Sequence, residues 1–85
     1  MMASPYPSMK VKRFRRMLGR AFGYERVKGR GKGSHTILRS NRGYPDLVDG
    51  FHDGAEIPPH RVKRILIDDV GLTNQQALEV VREHG

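Results

Sequence analysis

The sequence predicts one small α+β domain, an antiparallel sheet of two or three strands covered by helices on one face. Three observations predict it. Apolar residues recur at spacings of three and four near the start of the chain and in two stretches near its end. The middle instead holds short alternating runs punctuated by glycine and proline. Finally, 85 residues with 36% hydrophobic content leave room for one sheet and a few helices, and a chain of this size buries only about 60–65% of its unfolded surface.

Residues 1–8 carry two prolines and no periodicity, so they are expected to form a disordered tail ahead of a single domain over 9–85. They lack the apolar core of a secretory signal. No run approaches the roughly 18 apolar residues of a membrane span, and the absence of cysteine fits a reducing, cytoplasmic setting. Over residues 10–22, Val11, Phe14, Met17, Leu18, Ala21 and Phe22 form one apolar stripe, which predicts a helix. Lys10, Lys12, Arg13, Arg15, Arg16 and Arg20 fall between them and are read as its wet side. Ser8 is the expected N-cap and Gly23 the stop, while Gly19 weakens the interior by about 1 kcal/mol relative to alanine.

Residues 23–28 read as a short strand built on Tyr24 and Val27, and His35-Thr36-Ile37-Leu38-Arg39 as a second, pairing with it as a hairpin. Asn41-Arg42-Gly43 is a turn. Leu47, Val48 and Phe51 suggest a third strand over 44–52, but Pro45, Asp46, Asp49 and Gly50 restrict it to a short or irregular edge. Asp53-Gly54 turns the chain again. Pro58-Pro59 then starts a helix over 59–70, with Val62, Ile65, Leu66 and Val70 on one face and Gly71 at its end. Thr73-Asn74-Gln75-Gln76 is a capping box that opens a last helix with Ala77, Leu78 and Val81 inward.

Charge is unevenly divided. Residues 1–42 hold twelve Lys/Arg against one acid, Glu25, for a net +11, and residues 43–85 hold four against eight, for a net −4. Such a basic half is suited to a polyanion, although a basic run also serves simply as a solvated face. The run reaches its greatest density at Lys28-Gly29-Arg30-Gly31-Lys32-Gly33-Ser34-His35, which leads directly into the second predicted strand. Glycine lets the backbone approach a partner closely, and Lys28, Arg30, Lys32 and Arg39 are candidate phosphate contacts. The loop is no Walker A motif, because Lys32 is followed by Gly33.

His35 is the candidate catalytic residue. The small Gly33 and Ser34 leave its imidazole approachable, and neighbouring cations disfavour the imidazolium, which keeps the ring ready to accept a proton. A well-placed general base contributes about 10²–10⁴-fold. In RNA the 2′-hydroxyl is the available nucleophile, and nearby cations offset the charge that develops on the phosphorane. His52, at the end of the doubtful third strand, is the candidate second catalytic group, facing His35 across the sheet. His60 and His84 have weaker cases, and no His/Asp/Glu spacing argues for a metal site.

Gly33-Ser34-His35 entering a strand after a basic first helix resembles the HicA family of bacterial toxins. Downstream, Glu56-Ile57-Pro58-Pro59, Val62-Lys63-Arg64-Ile65-Leu66 and Val70-Gly71-Leu72-Thr73 match the family's second helix and the turn to its last, in order and at the right distance. The resemblance spans residues 9–81. It implies a double-stranded-RNA-binding-like α-β-β-β-α domain with a short C-terminal helix. The implied activity is an mRNA interferase, an endoribonuclease that cleaves without metal or other cofactor, with His35 catalytic. Its implied partners are mRNA and a HicB-type antitoxin that covers the site. The chain departs from the family in its extra leading residues and in Asp46, Asp49 and Asp53, which stand where apolar alternation is expected. The rival reading is a non-catalytic RNA- or DNA-binding module of the same shape, in which Gly33, Ser34 and the cations bind nucleic acid and His35 only hydrogen-bonds. A basic protein whose ligand is an acidic protein is a third.

Overall fold

The computed structural model describes residues 5–27 and 36–85. Its elements are β1 (Met9–Lys10), α1 (Val11–Phe22), β2 (Tyr24–Val27), β3 (Thr36–Ser40), β4 (Leu47–Asp49), β5 (Glu56–Ile57), α2 (Pro59–Arg64) and α3 (Asn74–His84). A single π-helical turn, Ile65–Asp69, continues α2. Over its described residues the chain is thus an α+β domain with a three-stranded antiparallel sheet in the order β2-β3-β4 and three α-helices.

Leu38, Leu47 and Tyr24 turn the sheet's inner face toward the helices, and Glu25, Arg39 and Val48 lie exposed on the outer face. The largest fully buried side chains are Met17, Leu18, Ile57, Leu66, Val11 and Val62, so the apolar stripes read over 10–22 and 59–70 lie in the core. Gly23 ends α1 at φ 72°, where an L-residue is strained, and its N–H closes on the Gly19 carbonyl at 3.0 Å. The capping box is complete: Gln76 N–H donates to Thr73 Oγ1 at 3.1 Å, and Thr73 N–H donates to Gln76 Oε1 at 2.9 Å.

Three expectations are corrected. Ser8 does not cap α1, because Lys10 holds the cap position and the chain before the helix is paired instead. β1 forms a two-residue antiparallel ribbon with β5, and the Val11 N–H donates to the Ala55 carbonyl at 3.1 Å, so a backbone oxygen replaces a capping side chain. The disordered tail expected over 1–8 does not hold for residues 5–8, since Tyr6 is only 2% exposed and its hydroxyl donates to Asn74 Oδ1 at 2.7 Å. Burying one aromatic ring provides this short polar segment with its anchor. The single helix expected over 59–70 widens after Arg64: Val70 N–H reaches the Ile65 carbonyl at 2.9 Å, a five-residue step, and Gly71 follows at φ 94°.

Candidate nucleic-acid interface

Helix α1 sorts its cations into two groups. At about 100° per residue, Lys12, Arg13, Arg16 and Arg20 share an arc opposite Val11, Phe14, Leu18 and Phe22, and all four are exposed. Among the described residues, Lys12, Arg16 and Arg20 have no carboxylate within ion-pair distance. Arg13 Nη2 donates to the Gly85 carbonyl at 3.1 Å, which sets the end of α3 beside the same face. Lys10, Lys12, Arg13, Arg16, Arg20 and His84 line one open groove there.

Arg15 belongs to the other group and corrects the expected wet side. Its side chain is only 15% exposed and points toward the β4–β5 connection. Nε donates to Asp49 Oδ2 at 2.5 Å, Nη1 to Asp53 Oδ1 at 2.6 Å and Nη2 to the Phe51 carbonyl at 3.1 Å. The Asp49 hydrogen bond raises the guanidinium pKa despite the burial that opposes it, and Arg15 in turn holds the Asp53 carboxyl below its usual range. The acidic third-strand region is therefore a docking point for α1, with Asp49 buried at 5% exposure. The sequence carried a signal for this: Arg15 follows Val11 by four and precedes Leu18 by three, so it lies within the apolar stripe.

β3 begins at Thr36, which pairs with Asp49, the last residue of β4. Because these strands are antiparallel, the first residue of β3 and the last residue of β4 stand at the same end of the sheet. His35, Lys28, Arg30, Lys32, Gly33 and Ser34 lie outside the described residues. His52 does not end a strand. Asp49 Oδ1 accepts the Phe51 N–H at 3.2 Å, an Asx turn that stops β4 three residues earlier. His52 is exposed on the following loop, where its carbonyl accepts the Ala55 N–H at 2.9 Å.

Arg39 is on β3, on the outer face, paired across the ladder with Glu25 and 3.4 Å from Asp46 Oδ2. Both members of that ion pair are at least half exposed, so the contact is weak and a phosphate can compete for the guanidinium. Its acidic neighbours distinguish Arg39 from the unpaired cations of α1. Ile37 pairs with Val27 and with Val48, which makes an apolar row beside it, and Val48 is 66% exposed.

No family model, no curated protein and no solved structure matches this chain. Among the described residues, no three His, Asp or Glu side chains converge into a group able to hold a metal, and no helix is long and apolar enough to cross a membrane. The three Tyr and three Phe rings of the chain are all described, and none is exposed: Tyr6, Phe14, Phe22 and Tyr24 are buried, and Tyr44 and Phe51 pack against the core.

Proposed function

We propose that the chain is a HicA-like RNA endonuclease of double-stranded-RNA-binding-like fold, the toxin of a toxin–antitoxin pair acting on cytoplasmic mRNA. The observation that carries the reading is the hairpin register. Val27 pairs with Ile37, so residues 28–35, with their cations and Gly33-Ser34-His35, connect two hydrogen-bonded strands. The succession of a basic helix, three antiparallel strands and C-terminal helices supports the same reading.

In this reading, neutral His35 takes the proton of a ribose 2′-hydroxyl. The 2′-oxygen attacks the adjacent phosphorus, the bond to the 5′-oxygen breaks, and a cyclic 2′,3′-phosphate and a free 5′-hydroxyl result. The leaving oxygen takes its proton from an acid, for which His52 is the candidate, since its loop leaves from the sheet end at which β3 begins. Lys28, Arg30, Lys32 and Arg39 hold the phosphates, with Gly33 and Ser34 admitting the backbone to the imidazole. No metal ion or cofactor enters these steps. A HicB-type antitoxin would cover the basic half with carboxylates.

The test is incubation of purified protein with mRNA in the presence of a chelator. Wild type should yield cyclic-phosphate ends, and His35→Ala should abolish them while still retarding RNA on a gel. RNA retarded but left intact by wild type would reduce the chain to the binding module of the same shape.

A further inference from the structure

The exposed cations of α1 are remote in sequence from the glycine-rich loop and have no role in the proton transfers above. Lys12, Arg16 and Arg20 follow one another at intervals of four, so they form a line about 12 Å long on a rigid helix. Arg13 widens that line. Among the described residues no carboxylate comes within ion-pair distance of Lys12, Arg16 or Arg20, whereas Asp49 and Asp53 hold Arg15, Asp46 lies by Arg39, and Asp68 lies by Arg64. We infer that this face of α1 is a second, sequence-independent phosphate-binding surface that grips the backbone of duplex RNA.

The ligand class follows from what accompanies the charge. Single strands are held without sequence preference by aromatic rings on which bases stack. Every Tyr and Phe ring is buried or packed against the core, so the cations have no Tyr or Phe platform beside them, and among the described residues the ring at their groove is the small imidazole of His84. A convex helix about 10–12 Å across, bearing only long cationic side chains, suits a wide, shallow groove flanked by phosphates, as in the minor groove of an A-form duplex. Lysine and arginine there fix position and leave the bases unread. The inference takes RNA as the ligand from the reading above, but it does not require His35 to cut.

The experiment compares two triple variants in a His35→Ala background, so that no RNA is consumed: Lys12→Gln/Arg16→Gln/Arg20→Gln on α1, and Arg61→Gln/Lys63→Gln/Arg64→Gln on α2. Both remove the same charge from exposed positions. Affinity for a duplex RNA and for a single strand of equal length is titrated across salt, and cleavage by wild type is read separately. At about 0.9 per phosphate contact, the α1 variant should flatten the duplex slope of log K against log salt by close to 3. The parental advantage over it should then shrink about 40-fold between about 50 and about 200 mM salt. The α2 variant should change the slope far less. An unchanged duplex slope, an equal loss with the α2 variant, an equal loss on the single strand, or a loss seen only with anionic vesicles would each overturn the inference. Absence of cleavage by wild type would instead overturn the proposed function and leave this surface standing.

Discussion

Arg15→Ala deletes three donors at once from the contact between α1 and the β4–β5 connection. Asp49 is the residue that suffers, because its carboxylate is buried (side chain 3% exposed) and loses the Nε–H bond at 2.5 Å. Among the described residues it then retains the Phe51 N–H. Breaking a buried pair from one side costs about 3–5 kcal/mol, since a charge is left without its partner. Arg15 keeps some solvent contact, which places the expected loss near the lower end, about 3 kcal/mol. A domain of this length holds about 4–13 kcal/mol in all, so the variant should lose a large share of its stability. A urea titration followed by far-ultraviolet circular dichroism measures it through the midpoint at constant slope. The paired variant Arg15→Met/Asp49→Leu separates the two explanations. If an orphaned charge is the cause, the double variant should recover most of the loss. A single variant within about 0.5 kcal/mol of wild type would refute the reasoning, and a double variant as weak as the single would assign the loss to packing instead.

Two pH-dependent outcomes follow from the same geometry. Arg15 holds the Asp53 carboxyl below its ordinary 3.8, so the contact stabilises above that pH and is lost as pH falls through the lower folded-state value. Asp53→Asn should therefore show a shallower decline in urea midpoint on acidification, and parallel curves would count against the pair. At the alkaline end, burial, with a smaller contribution from Asp46, pushes the Tyr24 phenol up to about 12, while its hydroxyl donates to the Pro45 carbonyl at 2.6 Å. A raised folded-state value means that the stabilisation is complete below pH 10 and disappears toward pH 12. Tyr24→Phe should lose about 1 kcal/mol near neutrality for the hydrogen bond. The difference should then close and reverse between pH 10 and 12, and a constant difference would show the phenol to be uninvolved.

Legibility in the sequence followed the reach of each interaction. The α1 stripe, the Gly23 stop and the Thr73–Gln76 box are set within a few residues, and each was readable from spacing and residue type. The hairpin was readable because its two strands are neighbours in the chain. The β1–β5 ribbon was not, because it joins Met9 to Ile57 through two residues on each side, too few to leave any alternation. Tyr6 failed for a similar reason: its partner Asn74 is 68 positions away. The π-helical turn left no mark on the apolar pattern, since Val62, Leu66 and Val70 keep the spacing of an α-helix. At the site, charge totals identified the basic half but not which cations it exposes. The strongly basic composition hid Arg15 among five similar neighbours, although its position in the stripe distinguishes it.

The division of charge between the two halves of the chain takes on a structural meaning through that one arginine. A helix with six cations in or beside it would repel itself if all faced one way, and turning Arg15 inward reduces this while drawing two of the eight acids of the second half toward the sheet. Those carboxylates are then bonded to Arg15 and not to any member of the Lys12-Arg16-Arg20 line, so that line keeps its charge unpaired among the described residues. The same clamp fixes Asp49 opposite Thr36, at the strand end into which the His35 segment runs. One buried pair thus sets the rim of the proposed catalytic end and leaves the outer face of α1 positive. Loosening it should therefore affect cutting and gripping differently: Arg15→Met/Asp49→Leu should retain the salt-dependent affinity of the α1 line, because none of its members is touched, while any cleavage that depends on the geometry at Thr36 should fall.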